Sequence, residues 1–119
     1  MRILLDTNIL LLHLKEGILK RVPPEMELCV SVITVAEALR YPGLGDNDLK
    51  IISDLLDIMV TFDIDLLIAR RAAELGRTRA TKLPDLLIAA TALEMHAPLI
   101  TKNIHDFKGI PELIAREHI

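Results

Sequence analysis

The feature that most constrains the fold of this chain is the alternation of short aliphatic runs with longer segments of helical periodicity. The aliphatic runs predict strands at residues 3–5, 28–32, 59–62, 98–101 and 113–115. The segments between them predict helices at 9–14, from 34 onward, and at 46–57, 64–79 and 86–95. Strands that alternate with helices form parallel sheets joined by right-handed crossovers. We therefore predict an α/β fold with a central parallel sheet of four to five strands.

The composition supports helices on both faces of this sheet. Hydrophobic residues make up 51% of the chain, but only one Tyr and two Phe are aromatic. The core is therefore built from Leu, Ile, Val and Ala, as in strands that are buried on both faces. The segment 86–95 is rich in Ala and aliphatic residues, which predicts a helix that is buried on most sides. No strand is predicted between the helices at 64–79 and 86–95.

The length of 119 residues fits a single domain, 1–119, that is large enough to bury a core. No apolar run reaches the ~18 residues of a membrane span. Asp6 and Asn8 interrupt the apolar N-terminus, which argues against a secretory signal. Cys29 is the only cysteine, which leaves no disulfide framework and no cysteine-based zinc site. These features predict a cytoplasmic protein without a membrane association.

The charge distribution gives one candidate surface for nucleic acid. The net charge of −3 argues weakly against a nucleic-acid-binding protein, because phosphates require positive partners. Five basic residues nevertheless lie close together in the sequence, with Glu74 as the only acid among them: Arg70, Arg71, Arg77, Arg79 and Lys82. They form a candidate RNA-binding strip. A solvated helix face explains the same pattern equally well.

Acidic and amide side chains lie near the ends of the predicted strands. Asp6 follows the first strand, Glu37 lies in the helix after the second, and Asn103 and Asp106 follow the fourth. Asp85 lies in the first turn of the helix that precedes the fourth strand. Ligands of an open parallel sheet bind outside the carboxyl ends of its strands. We therefore expect these side chains to converge on one edge of the sheet.

Each acid also has a structural explanation. Asp6 is suited to cap the first helix, and Thr34 with Glu37 matches a capping box. Asp85 complements the positive end of its helix, and Asp106 is suited to cap a turn. Taken singly, these structural roles are more common than catalytic roles.

The acids taken together indicate a metal site. Glu37 and Asp85 are embedded in aliphatic sequence, where an unpaired charge is costly. The chain has no cysteine cluster and no spaced histidine pair, so the ligands are oxygens, which favours Mg²⁺ or Mn²⁺. Such ions activate water for the hydrolysis of a phosphodiester and neutralise the leaving oxygen. Three polar residues are suited to support the ligands through hydrogen bonds: Thr7, Asn8 and Thr101.

Four segments resemble the motifs of the PIN-domain family, and in particular the VapC-type toxins of prokaryotic toxin–antitoxin modules. They are residues 4–8 (LLDTN), 34–37 (TVAE), 83–92 (LPDLLIAATA) and 99–107 (LITKNIHDF). The resemblance implies a three-layer, Rossmann-like α/β/α sandwich and a Mg²⁺- or Mn²⁺-dependent endoribonuclease. It also implies inhibition by a cognate antitoxin protein and, because such toxins usually dimerise, a homodimer.

The resemblance also implies site residues. Asp6, Glu37 and Asp85 match the three principal acids of the family, which act as catalytic residues and metal ligands. The last motif of the family often has an acid where this chain has Asn103, and a second acid where it has Asp106. Because an amide oxygen is a weaker ligand than a carboxylate, we assign Asp106 as the fourth acid and Asn103 as a contributing ligand.

Two alternative interpretations remain open at this stage. One is a PIN fold that has lost catalysis and serves as an RNA- or protein-binding module, although such a copy has little reason to keep destabilising charges. The other is a response-regulator receiver domain, with Asp63 after the third strand and Thr101-Lys102 as its switch pair. Receivers have paired acids after the first strand, whereas Asp6 is followed by Thr7. Receivers also have a strand between two helices at the place where this chain has the predicted helices 64–79 and 86–95 with no strand between them.

Overall fold

A computed structural model describes residues 1–119 and contains one five-stranded sheet. The strands are β1 (Arg2–Leu5), β2 (Glu27–Ser31), β3 (Val60–Phe62), β4 (Leu99–Ile100) and β5 (Ala115–Arg116). All neighbouring strands are parallel, and their order across the sheet is β3-β2-β1-β4-β5. Each strand overlaps its predicted run. The α/β fold class with a central parallel sheet is therefore confirmed.

Six α-helices connect or flank the strands: α1 (Thr7–Glu16), α2 (Val32–Leu39), α3 (Asp46–Ile58), α4 (Leu66–Gly76), α5 (Leu83–Met95) and α6 (Ile104–Phe107). Helices α4 and α5 follow each other without a strand between them, as predicted. The sequence did not predict α6 or the 3₁₀ helix Ile18–Arg21, because four residues are too few to show a helical periodicity. None of the helices combines the length and the apolar character that a membrane crossing requires.

The predicted start of α2 at Thr34 is wrong. Ser31, the last residue of β2, caps the helix through a hydrogen bond from the Ile33 N–H to its Oγ at 3.3 Å. Thr34 therefore lies inside the first turn of α2, where it is fully buried. The capping-box explanation for Glu37 is also wrong, because Ser31 and not Thr34 caps the helix.

Helices cover both faces of the sheet. Alternate side chains of β1 point to opposite faces. Ile3 and Leu5 belong to a core with residues of α1, α2 and α3, whereas Leu4 belongs to a core with residues of α5 and α6. Helix α4 packs on α5 through a smaller cluster around Ile68 and Ala72. Helix α5 buries seven of its thirteen residues, as its composition predicted. These layers form the expected three-layer α/β/α sandwich.

The strand order changes direction between β1 and β4. From β1 the chain adds β2 and β3 on one side, and then returns to add β4 and β5 on the other. This is a topological switch point, where the crevice outside the strand ends can hold a ligand. A receiver domain has the order 2-1-3-4-5 instead. The receiver interpretation is therefore wrong.

Candidate active site

Asp6 lies directly after β1, at the switch point. Its carboxylate is 4% exposed and accepts three hydrogen bonds. The Thr7 N–H donates to Oδ1 at 2.8 Å, and Asn8 Nδ2 and Thr101 Oγ1 each donate to Oδ2 at 2.7 Å. Burial raises the pKa of Asp6, while these hydrogen bonds favour its ionised form. The same carboxylate caps α1, so the capping role and a site role are compatible.

The segments after β1 and β4 are tied together around this carboxylate. Asn8 Oδ1 accepts the Lys102 N–H at 3.1 Å, and Thr101 Oγ1 accepts the Asn103 N–H at 3.0 Å. Asn8 and Thr101 also contact each other, with Nδ2 and Oγ1 3.4 Å apart. The two residues that hold Asp6 are therefore themselves fixed by backbone N–H groups.

Glu37 lies in the second turn of α2 and is half-buried. Thr7 Oγ1 donates to Glu37 Oε1 at 2.7 Å. Thr34 Oγ1 lies 3.3 Å from Thr7 Oγ1, inside the protein. Asp6 thus provides one carboxylate of the site. Its neighbour Thr7 positions a second one, the carboxylate of Glu37.

Asp85 lies in the first turn of α5 and is half-buried. Burial, followed by the negative charges of Asp6, Asp106 and Glu37, raises the pKa of Asp85 to about 6. The positive charge of Lys82 opposes this shift. Like charges disfavour ionisation only when they are near one another. The shift therefore shows that the four acids predicted from the sequence share one electrostatic environment.

Two adjoining cavities gather the predicted residues. The acidic cavity has a volume of about 470 Å³, and its lining includes Asp6, Glu37, Asp85, Asn103, Arg40 and Tyr41. The basic cavity has a volume of about 610 Å³, and its lining includes Asp85, Asn103, Asp106, Arg79, Lys82, His105 and Lys108. Because Asp85 and Asn103 line both cavities, we describe the two as one groove with these residues at its middle.

The donors in this groove fit a hard divalent cation in their chemistry. The carboxylates and the amide of Asn103 offer oxygen atoms, which Mg²⁺ and Mn²⁺ prefer. Burial raises the pKa of Asp85, and the like charges of the neighbouring acids raise it further. A cation would stabilise the ionised carboxylate against both effects. In this structure, no three acidic, histidine or cysteine side chains form a group that could hold a metal ion.

The structure divides the predicted basic strip. Arg79 and Lys82 line the basic cavity, and Arg79 Nη1 also donates to the Leu75 carbonyl at 2.9 Å. Arg71 instead pairs with Glu94 at 2.9 Å, near the opposite end of α5. Two further members of the strip are exposed and line neither cavity: Arg70 and Arg77.

Sequence reasoning missed four residues with basic or aromatic side chains that line the groove: Arg40, Tyr41, His105 and Lys108. A signal for the first two was present, because they follow Glu37 by three and four residues and such positions share a helix face. His105 and Lys108 lie on either side of Asp106 in the sequence. They were not recognisable without the turn that α6 introduces.

Comparisons with known proteins agree with this fold. The chain is 25% identical to VapBC-1 from nontypeable Haemophilus influenzae, with a TM-score of 0.79, over 98% of this chain and 97% of that one. It is 30% identical to a toxin–antitoxin complex from Klebsiella pneumoniae, with a TM-score of 0.72, over 98% and 99% of the two chains. VapBC2 from Rickettsia felis, bound to a promoter DNA fragment, shares the fold at 24% identity, with a TM-score of 0.81 over 98% of each chain.

No curated protein sequence matches the chain. The family model of the PIN domain matches residues 3–113. This match includes all four segments that carry the sequence resemblance, and therefore every acid in the groove. The chain belongs to the PIN domain family.

Proposed function

We propose that this chain is a metal-dependent endoribonuclease and the toxin of a VapBC-type, type II toxin–antitoxin pair. The observation that carries the proposal is the gathering of three carboxylates and the Asn103 amide around one cavity at the switch point: Asp6, Glu37 and Asp85. Burial and the neighbouring acids together raise the pKa of Asp85 to about 6. Crowded, partly buried like charges destabilise a fold unless a cation neutralises them. The similarity to the VapBC-1 and Klebsiella pneumoniae structures supports the toxin assignment.

The proposed catalytic residues and metal ligands are Asp6, Glu37, Asp85 and Asp106, with Asn103 as a contributing ligand. Bound Mg²⁺ or Mn²⁺ would supply the activated water and the neutralisation of charge that phosphodiester hydrolysis requires. The residues around the acids hold them in place: Asn8 and Thr101 fix Asp6, and Thr7 fixes Glu37. Such supporting hydrogen bonds orient oxygen ligands before the substrate binds.

The basic cavity supports an RNA substrate. Arg79, Lys82 and Lys108 place positive charge directly beside the acids. A phosphate that reaches Asp85 would therefore have a neighbouring phosphate near these cations, and contacts of this kind position a nucleic acid without reading its sequence. Within the predicted strip, Arg70 and Arg77 remain candidates for contacts with longer RNA. Arg71 is the weakest candidate, because Glu94 already pairs with it.

We propose a cognate antitoxin and a second copy of this chain as protein partners in the cytoplasm. The antitoxin proposal follows the similarity to VapBC complexes. Large apolar side chains are exposed on three helices, which gives partners apolar surface to cover: Ile58 of α3, Leu66 and Leu67 of α4, and Leu83 of α5.

The test is the cleavage of total RNA by the purified protein, with Mg²⁺ or Mn²⁺ and with EDTA. We expect Asp6→Ala and Asp85→Asn to lower the rate of RNA cleavage by about 100-fold or more, because each removes a carboxylate that would hold the metal ion in the transition state. Asp57→Asn is the matched control, since it makes the same chemical change on the exposed face of α3.

The outcomes separate the alternatives. Cleavage that requires both the metal and the two carboxylates would support the ribonuclease. Cleavage that persists in EDTA, or at the wild-type rate in both variants, would contradict the assigned site. A thermal shift with Mn²⁺ but no cleavage of any RNA would favour the inactive PIN-fold binding module.

A further inference from the structure

Tyr41 has the most exposed aromatic ring in the chain. The sequence contains one Tyr, two Phe and no Trp. Phe107 is 2% exposed, and Phe62 packs against the core with the Arg2 guanidinium 5.4 Å from its ring centre. Tyr41, in contrast, is 50% exposed. The packing of the core therefore does not account for an aromatic residue at this position.

The position of Tyr41 places it in the acidic cavity of the groove. Tyr41 lies two residues beyond the end of α2 and lines the same cavity as Glu37 and Asp85. Arg40 and Pro42, which flank it in sequence, also line this cavity. A proline restricts the backbone of the residue before it to extended conformations. Pro42 therefore narrows the range of backbone conformations open to Tyr41 at the cavity.

The chemistry of the cavity favours a nucleobase over an apolar side chain of a protein. Apart from Leu11, Tyr41 and Pro42, the cavity is lined by polar and charged residues: Asp6, Thr7, Asn8, Glu37, Arg40, Asp85 and Asn103. An apolar side chain would find little apolar surface here besides the ring itself. A base has an apolar face that stacks on an aromatic ring and polar edges that suit charged and amide groups.

We propose that Tyr41 stacks on a nucleobase of single-stranded RNA, next to the phosphate that is cleaved at Asp85. The proposal rests on the proposed function and makes it more specific. A base stacked on Tyr41 has left its own helix, so the substrate must be single-stranded or looped at this point. The groove then binds a base in its acidic cavity and backbone phosphates in its basic cavity, on opposite sides of the cleaved bond.

The chain offers a direct optical test. Because Tyr41 is the only tyrosine and there is no tryptophan, the tyrosine emission of the protein comes from this one ring. The wild-type protein is titrated in EDTA at low ionic strength with a short single-stranded RNA, and with an abasic oligonucleotide of equal length. We expect the RNA to quench the emission. We expect the abasic strand to bind, as measured by fluorescence anisotropy, without quenching.

Variants measure the contribution of the ring to RNA binding. Tyr41→Phe keeps a stacking face, and we expect its affinity to stay within about twofold of wild type. We expect Tyr41→Leu to bind the RNA roughly ten-fold more weakly, because it removes the stacking face but keeps an apolar side chain. Ile114→Ala is the control, since Ile114 is 59% exposed and does not line the groove.

The outcomes distinguish this proposal from the nuclease proposal. RNA cleavage by the wild type together with unquenched emission, or with equal RNA affinity for Tyr41→Leu, would overturn the stacking proposal alone. If Tyr41→Leu instead weakened only the binding of the antitoxin, the ring would be a protein contact and the stacking proposal would again be wrong. If the wild type neither bound nor cleaved RNA, both proposals would be overturned.

Discussion

Thr34 determines the direction of a hydrogen-bond chain that ends at Glu37. Thr7 has a single hydroxyl proton, and its contact with Glu37 Oε1, at 2.7 Å, is the shorter of its two side-chain contacts. The contact between the Thr7 and Thr34 hydroxyl oxygens is 3.3 Å long. If the Thr7 proton goes to the carboxylate, the proton of the second contact must come from Thr34. The buried Thr34 hydroxyl thus turns Thr7 toward Glu37.

We therefore predict that Thr34→Val weakens Mn²⁺ binding by about ten-fold, because Thr7 is then free to turn away from Glu37. Thr34→Ser keeps the hydroxyl and should bind Mn²⁺ nearly as well as the wild type. Calorimetric titration with Mn²⁺ measures both affinities, and urea unfolding in EDTA checks that the valine variant is folded. Equal Mn²⁺ affinity for the two variants would contradict a positioning role for Thr34.

At the residue scale, the sequence predicted the acids and three polar residues that contact them, Thr7, Asn8 and Thr101, but not the rest of the groove. Asp6, Glu37 and Asp85 were found because each follows a strand or begins a helix, and the structure places them around one groove. Their common electrostatic environment depends on distances between segments that are far apart in the chain. Tyr41 was missed although it follows Glu37 by four residues, because the role of an exposed aromatic residue depends on the cavity that it lines.

The side chain of Asp65 determines where helix α4 begins. Its Oδ1 accepts the Ile68 N–H at 2.9 Å and so caps α4. Helix α4 packs on α5 through the small cluster that includes Ile68 and Ala72. Only two residues of α4 are buried, Ile68 and Ala72, and the first N–H groups of a helix have no partner within it. The cap therefore contributes to the stability of α4.

We predict that Asp65→Ala lowers the free energy of unfolding by about 1 kcal/mol, the usual contribution of such a cap. Asp63→Ala is the matched control, since Asp63 is exposed and lies two residues before the cap. Urea denaturation of the three proteins measures the difference. RNA cleavage per folded molecule should not change, because neither residue lines the groove. Equal destabilisation by the two substitutions would show that the cap does not hold α4.

At the element scale, the strands and the longer helices were predictable, whereas the two short helices and the start of α2 were not. The strands were visible as continuous aliphatic runs, since the sheet is buried on both faces. The start of α2 was misplaced because Ser31 and Thr34 are both good caps. The end of β2, which pairs with β3 through Ser31 and Phe62, favours the first of them. That pairing is not visible in the local sequence.

At the scale of the whole molecule, the topology explains why acids from distant segments meet. The strand order reverses between β1 and β4, and Asp6 and Thr101 follow these two strands. Asp85 reaches the same edge because α5 runs back from it before the chain enters β4. The sequence predicted this edge from the rule for parallel sheets. It did not predict the strand order, which depends on long-range packing.

The burial of Asp85, together with the acids around it, makes the stability of the metal-free molecule depend on pH. The pKa of Asp85 is about 6 in the folded protein, against an ordinary value of 3.8. Between these two pH values the folded protein binds more protons than the unfolded chain, so the free energy of unfolding falls as the pH rises. Above about pH 6 the loss is complete and amounts to about 1 to 2 kcal/mol, after allowance for solvent screening.

We predict that Asp85→Asn removes this loss. In EDTA at about pH 7.5, the variant should be more stable than the wild type by about 1 to 2 kcal/mol, and at about pH 4 the two should be nearly equal. Mn²⁺ should raise the Tm of the wild type at about pH 7.5 but raise that of the variant much less, because the ion binds the ionised carboxylate. Thermal and urea denaturation over this pH range measure both effects.

Asp57→Asn is again the control, because Asp57 is exposed on α3 and its removal should change neither the pH dependence nor the Mn²⁺ effect. If Asp85→Asn kept the pH dependence of the wild type in EDTA, the titration of Asp85 would not be the source of that dependence. If Mn²⁺ raised the Tm of both proteins equally, Asp85 would not be a metal ligand. The EDTA measurement thus tests the environment of Asp85, and the Mn²⁺ measurement tests its proposed role as a metal ligand.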